Sequence, residues 1–488
     1  MAAARPNILW YCTDQQRYDT IAALGNPVIR TPAVDALVDE GVAFTQAYCQ
    51  SPICTPSRAS FMTGRYPASH HVNRNGNPHF PLEESLVTTL LAEGGYDCGL
   101  IGKQHLSRSN ILEKRIPNDG YRVFHWSHHP YPDWEEGHAY DDWLRAQGHD
   151  PKALYDVIAS PGPGVPAELH QTKWASDVAI DFISESREGP WMLNMNVFDP
   201  HPPFDPPAEY LDRYNPAEMP PPLFKPSDIP RQKQMSPIDQ QMKEAIDPRT
   251  PRVEAEADAD GDARFRAPKD FDAGLIKACY YAMIELIDDQ FARVVDALKA
   301  SGQYDNTLII FTSDHGEMLG DHGVAYKGCR FFEGLIHVPM VISWPAGMQS
   351  QPPSAALVEL VDLAPTLLDA AELPIPENIQ GKSLLPILRG ESTSVKSHVL
   401  CEYNDALAGV GMDDHSHGIM VYDGRYKICV YQGHHHLGEI YDLHEDPGEF
   451  NNLWNKPQHS ALKGELLGRA LDVYMSTSDA GMQRTGRY

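Results

Sequence analysis

Short apolar runs alternate with longer segments of helical periodicity through most of the chain, and this alternation constrains the fold most strongly. The strand-like runs are residues 7–12, 97–102, 191–198, 306–313 and 338–345. The helix-like segments are residues 31–44, 85–95, 174–186, 275–301 and 360–373. This pattern is typical of a parallel sheet with helices on both faces. We therefore expect an α/β fold with a large mixed, mostly parallel sheet sandwiched by helices.

The pattern changes near residue 390. Four short alternating segments follow, separated by turn residues, and the helical segment 461–475 comes after them. Such segments favour a small antiparallel sheet. We expect a catalytic domain over 1–390 and a C-terminal α+β subdomain over 391–488. Residues 205–268 are rich in proline and acidic residues, and we interpret them as an insertion, either a long loop or a partner arm.

The charge balance excludes several classes of partner. The chain of 488 residues has 40 basic and 67 acidic side chains, which give a formal net charge of −27. A chain this acidic is expected to bind neither nucleic acid nor an anionic membrane surface. A small anion could still bind in a local positive pocket.

The chain shows no sign of a membrane or secretory protein. No run reaches the roughly 18 apolar residues of a membrane span, and the N-terminus lacks the apolar core of a signal peptide. The eight cysteines are scattered without paired spacing, which fits reduced thiols better than a disulfide framework. We expect a cytoplasmic protein.

Polar side chains follow four of the predicted strands. In open α/β sheets, ligands bind beyond the carboxyl ends of the strands, so these side chains should converge. They are Asp14, Gln15, Lys103, His105, His201, Asp314 and His315, with Lys327 shortly beyond the last pair.

The stretch SPICTPSRASFMTGRYP adds a cysteine at the predicted start of a helix. Pro56 is favoured in a first helical turn, which places Cys54 at or just before the cap, near free backbone N–H groups. Arg58 lies four residues on and shares the helical face of Cys54.

Each of these residues also has an ordinary structural interpretation. A lone aspartate after a strand is more often a turn former, and a lone cysteine is more often buried core. The coincidence at several strand ends favours a site. Two carboxylates, an amide oxygen and an imidazole suit a divalent cation, and lysines, arginine and histidines suit an oxyanion and its leaving group.

The motifs together resemble the type I sulfatases of the alkaline phosphatase superfamily over nearly the whole chain. CTPSR matches the C-x-P-x-R signature of that family. Further matching blocks, in the same order as in the family, are PNILWYCTDQQ, IGKQHL, DNTLIIFTSDHGE, GKSLLPIL and EIYDLHEDPGEFNNL. The resemblance implies an alkaline phosphatase-like fold and a sulfuric ester hydrolase.

The resemblance also implies a role for each candidate residue. A separate formylglycine-generating (sulfatase-maturating) enzyme would oxidise Cys54 to formylglycine, whose hydrate is the nucleophile. The metal would be bound by Asp14, Gln15, Asp314, His315 and modified Cys54. The remaining expected roles are sulfate binding by Lys103, protonation of the leaving group and oxyanion binding by His201 and Lys327, charge stabilisation by Arg58, and proton removal in the second step by His105.

The two residue pairs that are expected to bind the metal depart from the commonest family pattern. Many members have Asp–Asp and Asp–Asn, whereas this chain has Asp14–Gln15 and Asp314–His315. These pairs resemble those of the phosphonate monoester hydrolases and choline sulfatases. An imidazole in place of an oxygen ligand makes the site less hard, so we expect calcium, with manganese as the alternative.

The sequence is compatible with three functions. A sulfate monoester hydrolase leads, a phosphonate monoester or phosphodiester hydrolase with the same nucleophile is the alternative, and a non-catalytic binding protein comes last. The natural substrate is not evident. The aromatic and histidine clusters at 121–134 and 431–437 fit the mouth of the site and loop packing equally well. The long 205–268 segment is compatible with a homo-oligomer.

Overall fold

The computed structural model describes residues 5–108, 113–129, 137–156, 158–242, 244–250, 252–253, 270–407 and 415–478. Within these ranges the strands are β1 (Asn7–Thr13), β2 (Val42–Ala43), β3 (Ala47–Tyr48), β4 (Asp97–Gly102), β5 (Tyr121–Trp126), β6 (Trp191–Asn196), β7 (Arg252–Val253), β8 (Asp270–Phe271), β9 (Thr307–Ser313), β10 (Met340–Ser343), β11 (Val358–Glu359), β12 (Val399–Asn404), β13 (His417–Tyr422), β14 (Tyr426–Tyr431) and β15 (Glu439–Asp442). The α-helices are α1 (Pro32–Glu40), α2 (Cys54–Thr63), α3 (Pro67–His70), α4 (Val87–Glu93), α5 (Ala139–Ala146), α6 (Pro151–Tyr155), α7 (Gln171–Ser184), α8 (Ala208–Leu211), α9 (Asp228–Gln234), α10 (Ala273–Ala300), α11 (Glu333–Ile336), α12 (Leu363–Ala370), α13 (Leu385–Leu388) and α14 (Ser460–Thr477).

One large sheet organises the molecule. Its seven strands lie in the order β2-β10-β9-β1-β6-β4-β5. Strands β9, β1, β6, β4 and β5 are parallel, whereas β10 runs antiparallel to both of its neighbours. The predicted mixed, mostly parallel sheet is confirmed.

Both faces of this sheet are buried, as the apolar strands predicted. In β1, Ile8 and Trp10 face one core, and Leu9 and Tyr11 face the other. Successive side chains of a strand point to opposite faces, so a strand that is apolar throughout requires cover on both sides. Helices α2, α4 and α12 contribute to the first core and α1, α7 and α10 to the second. Among the described residues, no helix combines the length and the apolar character that crossing a bilayer requires.

Two strands of the sheet differ from the prediction. The predicted helix 31–44 ends at Glu40, and β2 follows it. A Cβ at Gly41 would lie 2.4 Å from the carbonyl oxygen of Ile342, so glycine permits this close turn towards β10. Strand β5 falls within the 121–134 cluster and was not predicted. It is an edge strand with exposed polar side chains, which weakens its apolar signal.

The C-terminal part has the predicted form. Strands β12 to β15 make an antiparallel sheet, and α14 packs on it through Leu466, Ala470 and Val473. The fully buried Lys427 of β14 pairs with Glu333 at 2.8 Å and so joins this sheet to the catalytic part. The boundary between residues 390 and 391 stays a prediction.

The segment 205–268 is described to residue 253, with gaps at 243 and 251, and residues 254–268 lie outside the described part. The described part contains α8 and α9 and packs against the loop after β9. Leu223 N donates to Asp321 Oδ1 at 2.8 Å, and Asp228 lies 3.4 Å from His322. This part of the segment therefore lies on the body of the protein, and the interpretation as an insertion stays a prediction.

Candidate active site

The candidate site begins at the ends of two paired strands. Asp14 and Gln15 follow β1, and Asp314 and His315 follow β9. The strands pair in parallel up to their last residues, so the four side chains leave the sheet at one edge. The backbone N–H groups of Gln15 and His315 both donate to Oδ1 of Asp314 at 2.9 Å. The carboxylate of Asp314 therefore ties the two strand ends together.

The next strands of the sheet add two basic side chains. Lys103 follows β4, and His201 lies five residues after β6. The backbone N–H of Lys103 donates to the carbonyl of Asn196 at 2.9 Å. Gly102 has φ +98°, and a Cβ there would lie 1.9 Å from the same carbonyl. The close approach of β4 to β6 therefore requires glycine at the residue that precedes Lys103.

Cys54 is the first residue of α2, as the proline at position 56 predicted. Ile53 is extended, with φ −139° and ψ 142°, so the chain turns sharply into the helix. Asn75 Oδ1 accepts a hydrogen bond from Thr55 N at 3.0 Å and so caps the first turn. The positive end of the helix dipole lies at Cys54 and favours negative charge there.

Four potential ligands surround one point. Their ligand atoms all lie within 4.8 Å of one another and belong to Asp14, Cys54, Asp314 and His315. Cys54 Sγ is 3.1 Å from His315 Nε2 and 3.7 Å from Asp14 Oδ1. His315 Nδ1 lies 2.8 Å from the carbonyl of Gly316, which accepts its proton and turns Nε2 towards the cluster. This donor set, buried and partly anionic, fits a divalent cation.

Arg58 lies between the two carboxylates. Its Nε donates to Asp314 Oδ2 at 2.8 Å, and its Nη2 is 3.4 Å from Asp14 Oδ2. Nη1 donates to the carbonyl of Lys103 at 3.0 Å. The side chain is 1% exposed, and Asp314 and Asp14 raise its pKa against the opposing effect of burial. Arg58 therefore orients the carboxylates, and its side chain makes no hydrogen bond to Cys54 among the described residues.

Two lysines from different segments, Lys103 after β4 and Lys327 in the loop after β9, lie near Cys54. Lys327 Nζ lies 2.9 Å from Cys54 Sγ and 2.9 Å from Gln15 Oε1. Lys103 Nζ contacts Asp14 Oδ2 and is 3.8 Å from Cys54 Sγ. Three buried cations therefore face two buried carboxylates, which makes a local positive site within a strongly acidic chain.

The charges around Cys54 favour an anion at its side chain. Burial and Asp14 raise the pKa of the Cys54 thiol, but Lys103, Lys327 and His315 outweigh them and leave it below the ordinary value. Burial also raises the pKa of Asp14, and Lys103 and neighbouring cations lower it well below its usual range. The site holds Asp14 ionised and stabilises negative charge at position 54.

His201 contacts Lys327 directly. Its Nε2 is 3.0 Å from Lys327 Nζ, and its Nδ1 is 2.6 Å from the carbonyl of Pro202. The carbonyl accepts the Nδ1 proton, so Nε2 accepts from the ammonium group. Burial and the charge of Lys327 lower the pKa of His201. His201 is therefore neutral, and Lys327 carries the proton that the pair can donate.

His105 lies beside Lys103 rather than in contact with Cys54. Burial, together with Lys103 and Arg58, lowers its pKa well below the ordinary value. Its Nδ1 is buried and has no hydrogen-bond partner within the described ranges. A neutral imidazole with a free acceptor suits a general base.

The structure thus brings together Cys54, Arg58, Lys103, Lys327 and His201 with the four residues of the two metal pairs. His105 lies beside Lys103 and is further from Cys54 than these residues are. Their catalytic and ligand roles stay predictions.

The two aromatic and histidine clusters lie in different surroundings. In the first cluster, the ring of His128 contacts that of His105, with ring centroids 4.8 Å apart. Residues 130–134 of this cluster lie outside the described part. In the second cluster, the carbonyl of His435 accepts a hydrogen bond from Trp454 at 3.1 Å, which indicates loop packing.

The sequence did not single out three residues that the fold brings to the site. The carboxylate of Glu113 accepts hydrogen bonds from the backbone N–H groups of His105 and two following residues. The ring of Phe198 lies 5.3 Å from Lys103 Nζ. Glu317, in the loop after β9, contacts Gln15 Nε2. Glu113 and Phe198 have no local sequence signal, because only the packing of distant segments creates their contacts.

Family profiles and known proteins match the chain over most of its length. The sulfatase family profile matches residues 6–373, and the profile of the N-sulphoglucosamine sulphohydrolase C-terminal region matches 320–474. An arylsulfatase of Clostridium perfringens is 29% identical over 93% of this chain and 91% of its own length. A choline-sulfatase of Rhizobium meliloti is 27% identical over 99% of this chain and 90% of its own.

The fold has relatives among solved structures. The phosphonate monoester hydrolase of Agrobacterium radiobacter superimposes with a TM-score of 0.79 over 97% of this chain and 96% of that chain, at 25% identity. The α/β fold is therefore alkaline phosphatase-like, as expected. The family profile covers most of the catalytic part and includes every candidate residue. The chain belongs to the sulfatase family, enzymes that hydrolyse sulfate esters.

Proposed function

We propose that the chain cleaves sulfate monoesters to an alcohol and sulfate, with Cys54, converted to formylglycine, as nucleophile and a divalent cation beside it. One observation carries the proposal. Cys54 Sγ lies 3.1 Å from His315 Nε2 and 2.9 Å from Lys327 Nζ, at the buried start of a helix. A group attached at residue 54 therefore faces both the candidate metal ligands and the cations that suit a sulfate.

Conversion of Cys54 requires a second protein. We propose a formylglycine-generating (sulfatase-maturating) enzyme as the partner, because the CTPSR signature is complete through Arg58. Cys54 Sγ occupies the place of the oxygen atoms that formylglycine would carry. When present, the hydrated aldehyde supplies one hydroxyl to attack sulfur and a second whose deprotonation releases sulfate.

The cation would be held by Asp14, Gln15, Asp314 and His315 together with residue 54. When bound, it lowers the pKa of a hydroxyl group and polarises the sulfuryl oxygens. We propose calcium because three of the four side chains offer oxygen. Manganese is the alternative, since the imidazole of His315 suits a softer ion.

The lysines bind the sulfate, and one of them also serves the leaving group. Lys103 and Lys327 place their ammonium groups near residue 54, at 3.8 and 2.9 Å from Sγ. They neutralise charge that develops on the sulfuryl oxygens. Lys327 also donates towards the leaving oxygen, and the neutral His201 orients its ammonium group. His105 takes up the proton that the second step releases.

The alternative function rests on a specific observation. The pairs Asp14–Gln15 and Asp314–His315 differ from the commonest sulfatase pattern, and a phosphonate monoester hydrolase superimposes with a TM-score of 0.79. The same nucleophile could attack phosphorus. A sulfate monoester, a phosphonate monoester and a phosphodiester each carry one negative charge. The buried cations Lys103, Lys327 and Arg58 surround residue 54 together with the carboxylates of Asp14 and Asp314, and these charges suit either anion.

Three chromogenic substrates distinguish these functions: an aryl sulfate, the matching aryl phosphonate and the matching phosphodiester. With the matured, metal-loaded enzyme, we expect kcat/KM for the sulfate to exceed the others by more than about tenfold, or about 1.4 kcal/mol at the transition state. A larger value for the phosphonate would establish the alternative. If an enzyme with formylglycine at residue 54 and bound metal turned over none of the three substrates, the non-catalytic binding function would be the one that remains.

The histidines are expected to affect different steps. His105→Ala should release the alcohol in a burst and then turn over slowly, because the proton acceptor of the second step is lost. His201→Ala should slow the first release, most for poor leaving groups, because Lys327 loses its orienting partner. Burst amplitude and leaving-group dependence across an aryl ester series measure both effects. A burst in His201→Ala and none in His105→Ala would reverse the assignment.

Two further features are proposed from the sequence. All eight cysteines are free and buried, which favours a reducing compartment, and we propose the cytoplasm. A homo-oligomer is proposed from the long 205–268 segment, and sedimentation of the purified chain tests it.

A further inference from the structure

Glu317 is a buried carboxyl group immediately behind the candidate metal site. Its side chain is fully enclosed, and it lies two residues after His315 in the loop that follows β9. Oε1 accepts hydrogen bonds from the backbone N–H groups of Leu319, at 3.1 Å, and Tyr326. Oε2 contacts Nε2 of Gln15. One oxygen therefore holds the loop, and the other faces a candidate metal ligand.

The contact with Glu317 decides which way the Gln15 amide points. Nε2 can only donate and Oε1 can only accept, so a carboxylate on one side selects the amino end of the amide. Oε1 then points the other way, where Lys327 Nζ lies 2.9 Å from it. In the opposite orientation, Gln15 would present its NH₂ group to the cation. Only the orientation imposed by Glu317 makes Gln15 a ligand.

Glu317 also places a carboxyl group behind a set of ligands that has few formal charges. Burial raises the pKa of this carboxyl group, whereas the hydrogen bonds from Leu319, Gln15 and Tyr326 lower it. Gln15 is neutral, so only Asp14 and Asp314 among the proposed ligand side chains carry a formal negative charge. A carboxylate that accepts from the amide polarises it and makes Oε1 a stronger donor to a cation, as the carboxylate behind a metal-bound histidine does. Lys327 and Arg58 add positive charge nearby, so an outer anion matters for cation affinity.

We infer that Glu317 is a positioning residue for the divalent cation: through Gln15 it fixes the amide orientation and raises metal affinity. The inference rests on the metal site in the proposed function. A role confined to the loop would need only Oε1, whereas the contact of Oε2 with Gln15 serves the site. The two roles predict different behaviour when Glu317 and Gln15 are changed together.

The first test replaces Glu317 with glutamine. Glu317→Gln keeps the shape and can still accept from Leu319 and Tyr326 through its amide oxygen, but it turns an NH₂ group towards Gln15. The dissociation constants of Mn²⁺ and Ca²⁺ are measured on the full-length protein, stripped of metal with a chelator. We expect them to rise about 10- to 100-fold, the usual effect of losing an outer partner of a metal ligand.

The second test exchanges the two groups. In Gln15→Glu/Glu317→Gln, the carboxylate faces the cation and the amide of residue 317 donates to it. Metal affinity should return to within a few-fold of the wild-type value or exceed it. Because Gln15→Glu adds a charged ligand whatever Glu317 does, that single variant is measured as well. A damaged loop would make Glu317→Gln lower the affinity of Gln15→Glu by the same factor as that of the wild type, whereas the inferred pairing predicts no such loss. Failure of the double variant to recover affinity would therefore overturn the inference.

A matched control uses Glu402, another buried glutamate, in β12 of the small sheet. Glu402→Gln makes the same chemical change away from the cluster and should leave both dissociation constants unchanged. Equal affinity in Glu317→Gln and the wild type would overturn the role of Glu317 alone. A wild-type protein that binds neither ion would overturn the metal site of the proposed function as well.

Discussion

Replacement of Cys54 with alanine is expected to abolish sulfate-ester turnover while the fold stays intact. The side chain carries the nucleophile, and no other group in the described site can take its place beside His315 and Lys327. Loss of a nucleophile typically lowers kcat by at least about 10⁴-fold, and only electrostatic catalysis remains. The substitution removes one small buried side chain at a helix start, so thermal unfolding and circular dichroism should change little.

Mass spectrometry connects this loss of activity to maturation. In wild-type protein from a host with a maturation system, the tryptic peptide that ends at Arg58 should lose the mass difference between a thiol and an aldehyde. The same peptide contains Cys49, also buried, which should stay a thiol. Cys49→Ala is the matched control and should retain turnover. A fully active enzyme in which Cys54 is an unmodified thiol would contradict the proposed mechanism.

Loss of either ligand carboxylate should remove metal and activity together. Asp14→Ala leaves Lys103 and Arg58 without a shared counter-charge, and Asp314→Ala removes the group that Arg58 binds at 2.8 Å. Each change takes a negative charge from the centre of the cluster. The loss of metal affinity should therefore exceed the about 10- to 100-fold typical of outer partners. Bound metal is measured by elemental analysis of the purified variants, and turnover on the aryl sulfate.

Asp288 provides the control for buried aspartates. Its carboxylate caps α1, where Ala33 N and Val34 N donate to it at 2.9 and 2.8 Å, and it lies outside the cluster of candidate ligands. Asp288→Asn should keep both metal and turnover. Because removing Asp314 also takes from the buried Arg58 its closer carboxylate partner, Asp314→Asn accompanies the alanine variant as a milder change. Metal content equal to wild type in both Asp14→Ala and Asp314→Ala would show that the ligand set is wrong.

The general architecture was predictable from the chain because it depends on local periodicity. Strand 97–102 has no charged side chain after Asp97 and stands between amphipathic segments, and only a sheet covered on both faces buries such a strand. Strand β5 was missed because Arg122 and His125, at the edge of the sheet, interrupt the apolar pattern. Strand β2 was missed because two residues after Gly41 carry no signal of their own.

Much of the site was predictable for a related reason. Asp14, Lys103 and Asp314 directly follow strands, and parallel strands bring their carboxyl ends to one edge whatever lies between them in the chain. The positions of chemically capable residues at those ends, together with the C-x-P-x-R signature around Cys54, were therefore enough to assemble the cluster. His105 was included by the same reasoning, although it lies beside Lys103 rather than against Cys54.

Tertiary structure alone decided how these groups are oriented and charged. The side chain of Arg58 reaches the two carboxylates, the imidazole of His315 turns Nε2 inward because Gly316 accepts from Nδ1, and Glu317 selects the oxygen of Gln15. The contacts of Arg58 with Asp314 and of Glu317 with Gln15 join residues that are 256 and 302 positions apart in sequence. Hydrogen-bond direction and pKa follow from burial and from neighbouring charges, which are properties of the packed site and of no local stretch of sequence.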